Sequence, residues 1–237
     1  MTDTRCLTFA KSKFFSERMI YRVVSSWFSS NLSRCDSFVR DELFDIDIPD
    51  KIFVSPNRQH QELFATAHRC MNNWCFLKPA RAYVLGLFVD HAALNRLRAH
   101  GPKIQTHEVL GTDFPKSFVL LFASSKNSDH IRNGFRKSFE TFARDKQGVS
   151  LNLISTFLTV LDDRNNLEKN DFIRISCVPA SESVIVSLND SREIEIKNAT
   201  GLIHWIHSLY VGLESNPQAR YRSMQDKIMS HRLNEIE

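Results

Sequence analysis

The sequence lacks an apolar run long enough to cross a membrane. Such a span needs roughly 18 residues, whereas the longest run here, Ser117 to Ala123, has the length of a strand. A strong excess of one charge is also missing, because the net charge of the 237 residues is +4 and basic residues are interleaved with acidic ones. Nucleic-acid-binding proteins usually concentrate Lys and Arg on one face. We therefore expect neither a transmembrane segment nor a nucleic-acid partner.

The short motifs of several common enzyme classes are absent as well. The sequence contains no GxGxxG, P-loop, HExxH or GxSxG pattern, which are the signatures of dinucleotide binding, phosphate binding, zinc proteolysis and serine hydrolysis. Its composition, 42% hydrophobic and 24% charged, is that of an ordinary globular domain. The length suits one domain with a sizeable core plus a tail.

The spacing of the cysteines gives no metal motif. There are five cysteines and no CxxC pair, so we expect free thiols and a reducing compartment. His68, Cys70 and Cys75 lie close together, but a second ligand pair at zinc-like spacing is missing. His204 and His207 are three residues apart on a predicted helix without an evident third ligand. We expect no metal and no cofactor.

Residues 1 to about 35 differ from the rest of the chain. This segment is rich in Ser, its apolar residues recur at helical spacing, and its basic residues outnumber its acidic ones. The basic residues are Arg5, Lys11, Lys13, Arg18, Arg22 and Arg34, and the acidic ones are Asp3 and Glu17. Such a pattern is typical of a mitochondrial transit peptide, although an ordinary surface helix is the alternative. The predicted location is mitochondrial, with the cytoplasm as the alternative.

The rest of the chain divides into an acidic linker over residues 36–50 and one domain over residues 51–237. Strands are predicted at Lys51–Val54, Arg81–Asp90, Ser117–Ala123, Phe172–Val178, Ser183–Leu188 and Glu193–Lys197. Helices are predicted at His91–Ala99, from an N-cap at Ser128 to Arg144, and at Leu151–Leu161, Gly201–Val211 and Ala219–Leu233, with a short helix or irregular entry at Gln61–Arg69. This order favours an α+β fold in which helices cover an antiparallel β-sheet.

Four segments resemble chalcone-isomerase-like proteins. The C-terminal third, from the Asn170-Asp171 turn onward, is similar to the end of that family, with Asn170 at the position of the family's turn glycine. Residues 81–90 resemble the signature strand around a central glycine, and residues 65–70 resemble the loop that carries a ligand-facing Arg. Residues 126–139 resemble the fungal mitochondrial branch, the "altered inheritance of mitochondria" proteins. The resemblance implies an open-faced sandwich of sheet and helices.

The resemblance to the fatty-acid-binding members also implies a ligand site. There, Arg69 and Tyr83 would hold a carboxylate, because a guanidinium can bind one through two hydrogen bonds. The residues implied to line the rest of the pocket are Asn127, His130, Asn133, Ser208 and Leu209. The residues alone leave other roles open: Arg69 could pair with a surface acid, and Tyr83 could be a core aromatic. Asp129 beside His130 suggests either acid–base chemistry or, as we prefer, helix capping.

Catalysis of the chalcone isomerase type is not expected. The true isomerases carry a Thr at the position of Tyr83, and a catalytic Tyr and an Asn in the segment matching about Lys126 to Gly134. The tyrosines of this chain, at positions 21, 83, 210 and 221, all lie outside that segment. The leading hypothesis is therefore a non-catalytic mitochondrial protein that binds a fatty acid or similar amphipathic carboxylate. The alternatives are an intramolecular lyase acting on an enone-like substrate and a structural protein with a vestigial pocket.

Overall fold

The computed structural model describes residues 38–54, 59–70, 76–100, 109, 111–146, 149–189 and 191–211. The strands are β1 Phe38–Asp41, β2 Ile46–Pro49, β3 Lys51–Val54, β4 Gln59–Cys70, β5 Arg81–Asp90, β6 Lys116–Phe122, β7 Lys126–Asn127, β8 Asn166–Leu167, β9 Phe172–Val178, β10 Ser183–Leu188 and β11 Arg192–Ile196. The helices are α1 His91–His100, α2 Ser128–Asp145, α3 Asn152–Leu158 and α4 Thr200–Tyr210, and short 3-10 turns lie at Lys78–Ala80, Thr159–Leu161 and Pro179–Ser181. None of the described helices is long and apolar enough to cross a membrane.

Within this part of the chain, seven strands form one sheet in the order β11-β10-β9-β6-β5-β4-β3, and every neighbouring pair is antiparallel. Two small two-stranded sheets, β1-β2 and β7-β8, lie beside it. The antiparallel sheet with its helices confirms the predicted α+β fold class. The described strands of the large sheet agree with the sequence-based ones to within one or two residues, except for β4.

The central strands are buried on both faces, which explains their nearly continuous apolar sequences. In β5, Leu85 and Leu87 belong to a large apolar cluster that includes residues of α2, α3 and α4, so they face the helices. Val84 and Phe88 point the other way, into a smaller cluster with Phe44, Ile46 and Ile48 around the β1-β2 hairpin. The helix-covered face is the one that the predicted ligand site requires.

Helix α2 presents a row of apolar side chains to this face, as its sequence period predicts. Phe135 and Phe139 are buried, and Ile131 and Phe142 pack against the same cluster. The aromatic centre of the cluster is Trp205 of α4. Its ring meets those of Phe135, Phe139 and Phe157 edge-on at centroid distances of 6.0, 5.3 and 5.7 Å. Edge-to-face pairs of this kind hold α2, α3 and α4 together.

The prediction of a short helix or irregular entry at Gln61–Arg69 is wrong, because this segment is the central part of β4. Its Gln, Glu, Ala and His residues have weak strand propensity, and pairing along nearly the whole of β5 overrides that preference. The pairing register shifts between Leu63 and Ala65, which marks a β-bulge in β4. Gly86 of β5 lies opposite Thr66, close to this bulge.

The stretch 36–50, expected to be polar linker, contains the β1-β2 hairpin from residue 38 onward. Phe44, Ile46 and Ile48 are buried beneath it, on the face of the sheet opposite the helices. Two of the acidic residues that suggested a linker, Asp45 and Asp47, alternate with these apolar ones. The boundary between leader and domain stays a prediction, and residues 1–35 and the predicted helix Ala219–Leu233 lie outside the described residues.

Two further expectations can be compared with the structure. Asn170, at the position of the family's turn glycine, has a φ of 71°, which confirms a left-handed turn residue there; Asn tolerates this conformation better than most residues. Cys177 is a free, buried thiol as expected, whereas Cys70 is disulfide-bonded. The expectation of free thiols is therefore wrong for Cys70, because an odd number of cysteines excludes complete pairing but not a single pair.

Gly86 of β5 is closely packed by neighbouring side chains and supplies a test of the packing. A Cβ atom at this position would lie 2.8 Å from Cε2 of the buried Phe88 ring and 3.5 Å from Cγ2 of Ile48. We expect Gly86→Ala to lower the free energy of unfolding by about 1–3 kcal/mol, the usual cost of an overpacked core. The matched control is Gly134→Ala in α2, where a Cβ would meet nothing within 4 Å.

Gly134→Ala should raise the free energy of unfolding by up to about 1 kcal/mol, because Ala favours the helix. Urea denaturation of both variants gives the comparison. An equal or stabilising effect of Gly86→Ala would mean that the Phe88 ring moves aside without cost and that the close approach does not limit this position.

Candidate functional site

The register of β4 and β5 places Arg69 and Tyr83 directly opposite each other. Directly opposed residues of an antiparallel pair point to the same face, with Cβ atoms about 4.5–5.5 Å apart. That face is the helix-covered one, because Ala67 and Leu85, two residues away on each strand, lie in the large apolar cluster. The structure thus brings together the two residues predicted to hold a carboxylate.

Tyr83 is positioned by its neighbour on the next strand. It pairs with Phe122 of β6, and the two rings meet edge-on with centroids 6.1 Å apart. Tyr83 is half-buried and packs against the large apolar cluster. Arg69 is also half-buried. A cation and a phenol at the border between core and solvent can meet the charged end of a ligand whose remainder is apolar.

The segment that follows β6 lies at the end of the sheet that carries Arg69 and Tyr83. The backbone N–H of Ala123 donates to the carbonyl of Ala82 at 3.0 Å, and Oγ of Ser124 donates to the carbonyl of Arg81 at 2.9 Å. These bonds bring the following strand, β7, to the end of β5 that carries Tyr83. Lys126 of β7 is half-buried, and its burial lowers the pKa of its ammonium group. A second cation therefore lies at this end of the sheet.

Asn127 caps α2, and this corrects the expectation that Ser128 does so. The side-chain Oδ1 of Asn127 accepts hydrogen bonds from the backbone N–H groups of Asp129 at 2.9 Å and His130 at 3.2 Å. Asp129 then lies in the first turn, where its charge favours the helix dipole. Asn127, His130 and Asn133 are all exposed. Their predicted role in ligand binding stays a prediction.

The two candidate residues of α4 lie further along the helix-covered face. Leu209 is buried in the large cluster, and Oγ of the half-buried Ser208 donates to the carbonyl of Trp205 at 2.9 Å. The neighbouring Tyr210 ring lies 5.2 Å from that of Phe118. Phe118 is four residues from Phe122 in β6, or about 13 Å along the strand. The end of α4 is therefore well separated from the Arg69 and Tyr83 pair.

Comparison with known proteins supports this architecture. No protein-family model matches the sequence, and no curated protein is significantly similar to it. The structure is similar to the crystal structure of a fatty-acid-binding protein of Arabidopsis thaliana, with a TM-score of 0.61 and 16% sequence identity over 81% of this chain and 96% of that chain. The chain has the chalcone-isomerase-like fold. This confirms the predicted fold, while the narrower resemblance to the fungal mitochondrial branch stays a prediction.

Sequence reasoning missed a buried lysine at the other end of the sheet. Lys116, at the start of β6, is only 1% exposed and lies opposite Cys177 of β9. Its Nζ donates to the backbone carbonyl of Gly111. Burial lowers the pKa of Lys116 to about 8 and raises that of Cys177 to about 12, so the thiol is neutral at pH 7. A lysine after a proline at a strand entry gives no sequence signal of burial.

The depressed pKa of Lys116 predicts a pH-dependent penalty in the folded state. Below pH 8 the folded protein buries an ammonium group, whereas between pH 8 and 10.5 it releases a proton that the unfolded chain keeps. The contribution of Lys116 to the free energy of unfolding therefore rises with pH between pH 8 and 10.5. We expect Lys116→Met to raise the free energy of unfolding at pH 7 by about 2 kcal/mol, an advantage that fades toward pH 10.5.

Urea denaturation at pH 7 and pH 10 measures this difference, with Lys137→Met on the exposed face of α2 as the control. The pKa of Cys177, about 12 in the parent, would only rise without the Lys116 charge, so its thiol is neutral at pH 7 and pH 10 in both folded proteins and its contribution cancels. A Lys116→Met variant less stable than the parent at pH 7 would contradict the prediction, because the hydrogen bond to Gly111 would then outweigh the cost of burial.

Proposed function

We propose that this chain binds a fatty acid or a similar amphipathic carboxylate between the sheet and its helices, without catalysis. The observation that carries the proposal is the register that sets Arg69 opposite Tyr83 on the helix-covered face. The similar Arabidopsis structure, a fatty-acid-binding protein by name, supports the ligand class. The resemblance noted in the sequence assigns the carboxylate to these same two residues.

The head group would be held by charge-assisted hydrogen bonds. The guanidinium of Arg69 offers two parallel N–H donors that match the two oxygens of a carboxylate. The phenol of Tyr83 can donate a third hydrogen bond, and its contact with Phe122 restrains the ring. Half-burial of both residues removes part of the competing water, which strengthens such bonds relative to bulk solvent.

The acyl tail would run along the apolar face, away from Arg69. Phe122 and Phe118 of β6 lie along this direction, and the Phe118 ring contacts that of Tyr210 of α4 with centroids 5.2 Å apart, so the tail would have to separate these side chains. Each buried methylene contributes about 0.8 kcal/mol, so affinity should grow with chain length until the space is filled. Trp205 and its phenylalanine neighbours already occupy the region between the helices, so we place the tail nearer the sheet.

The residues available near this end support the proposed lack of isomerase activity. Ring closure by phenolate attack needs a positioned general acid or base and stabilisation of the developing charge. No Tyr occurs between residues 126 and 134, and Asn127 is engaged in capping α2. Spectroscopic detection of chalcone cyclisation by the purified chain would contradict this part of the proposal.

Isothermal titration of the full chain with a saturated fatty acid and with the fatty alcohol of equal length tests the binding proposal. Arg69→Ala should weaken fatty-acid binding about 10- to 100-fold, since hydrogen bonds to charged groups are the strong ones, and leave alcohol binding unchanged. Tyr83→Phe keeps the aromatic contact and should weaken acid binding about 2- to 10-fold. Arg136→Ala, an exposed arginine of α2, is the control.

The outcomes separate the parts of the proposal. Equal binding of the fatty acid by the parent and by Arg69→Ala would show that Arg69 is not the head-group anchor. Failure of the parent to bind either lipid would exclude the binding function and favour a structural protein with a vestigial pocket.

We also propose a mitochondrial location, supported by the basic, Ser-rich composition of residues 1 to about 35. A fluorescent protein fused to this segment should co-localise with mitochondria. Replacing the six basic residues of the segment by Gln should disperse the fluorescence, because the membrane potential then has no positive charge to act on. Diffuse fluorescence from the unaltered segment would favour the cytoplasmic alternative.

A further inference from the structure

His60, Glu62 and His91 meet at the end of the sheet far from Arg69. His60 and Glu62 are alternate residues of β4 and so share one face, and His91 directly follows β5. One possible ligand atom from each of the three residues lies within 4.8 Å of the others. Val89, opposite Glu62, is six residues from Tyr83 along β5, or about 20 Å. This cluster is therefore separate from the proposed carboxylate site.

Two ring nitrogens of this cluster have no hydrogen-bond partner among the described residues. Nε2 of His60 is buried and has no hydrogen-bond partner among the residues that the structure describes. Nδ1 of His91 lies 2.9 Å from Oε1 of Glu62, yet it too is buried without a hydrogen bond of acceptable geometry in this part of the chain. Buried polar atoms are normally satisfied. A bound cation would satisfy both nitrogens and the carboxylate together.

Neighbouring groups hold the two imidazole rings in place. The His60 ring lies between the Phe53 ring, with centroids 5.6 Å apart, and the His91 ring, at 5.2 Å. Nε2 of His91 lies 2.8 Å from Nδ2 of Asn95, one turn later in α1, so the amide in this orientation donates to the ring. Metal binding through Nδ1 requires the amide to flip, so that its oxygen accepts the Nε2–H and leaves Nδ1 free. Outer partners of this kind orient metal-binding histidines.

We propose that His60, Glu62 and His91 form a binding site for a divalent transition-metal ion, with Zn²⁺ as the best match. Two imidazoles and one carboxylate are a known three-ligand set for zinc that leaves one position for water. The nitrogen ligands disfavour Mg²⁺ and Ca²⁺, which prefer oxygen.

All three residues are half-buried, while the two ligand nitrogens themselves are buried. Zinc bonds of 2.0–2.1 Å in tetrahedral geometry set ligand atoms about 3.3 Å apart. Closing the cluster from its present spread therefore needs side-chain rotations rather than a movement of the sheet. Lys51 of β3 pairs with Glu62, and its positive charge disfavours a cation in the cluster. The Lys51 side chain is exposed, however, and can turn into solvent.

Zinc titration of the untagged full chain, stripped of metal with a chelator, tests the site. We expect one ion per chain bound through this cluster, with the affinity lowered about 100-fold or more in His60→Gln and in His91→Gln, because losing even an outer partner costs 10–100-fold. Glu62→Gln should also weaken zinc binding. The control is His204→Gln, an exposed histidine of α4 that lies outside the cluster.

Two further readouts guard against variants that fold poorly. Zinc should raise the unfolding temperature of the parent and of His204→Gln but not that of the cluster variants, whose unfolding temperatures in chelator should equal that of the parent. The visible spectrum of the parent loaded with Co²⁺ needs no variant and should show nitrogen and oxygen ligation in a four- or five-coordinate ion. Thiolate charge-transfer bands, unchanged affinity in the cluster variants, or the absence of zinc binding would each overturn the proposal.

Discussion

The antiparallel pairing of β4 with β5 is the constraint on which both proposed sites depend. At one end it sets Arg69 opposite Tyr83, and at the other it sets Glu62 opposite Val89, just before His91. A register slip of a single residue would turn every side chain of β4 to the other face. The register is secured on both faces at once, by the helix-covered cluster and by the smaller cluster beneath the β1-β2 hairpin.

The elements predicted well from sequence are those whose residues carry a clear period or an apolar run. Strands β5 and β6 are almost entirely apolar, and α2 repeats Phe at helical spacing, so local sequence and tertiary burial agree. Strand β4 was missed because its polar and small residues favour no strand locally. Its conformation comes from the partner strand and not from its own sequence.

The candidate sites were predictable to different degrees, because their residues are distant in sequence and share no local motif. Arg69 and Tyr83 could be placed by the resemblance to a known family, although they are 14 positions apart and share no local motif. His60, Glu62 and His91 could not, because the third residue follows the second only after a whole strand and connection. Lys116 was overlooked because burial of a lysine depends on the segment that covers it, which a strand pattern does not reveal.

The β-bulge in β4 between Leu63 and Ala65 has a consequence for how the two ends of the sheet are related. Phe64 and Ala65 are consecutive, yet both belong to the helix-covered cluster, so the strand changes parity at this point. Even-numbered residues, including His60 and Glu62, face the helices before it, and odd-numbered residues, including Arg69, face them after it. A chain shortened by one residue here would have to turn one of these two sets of polar side chains out of the helix layer. The extra residue therefore keeps the proposed metal ligands and the proposed carboxylate ligand on the same side of a single strand.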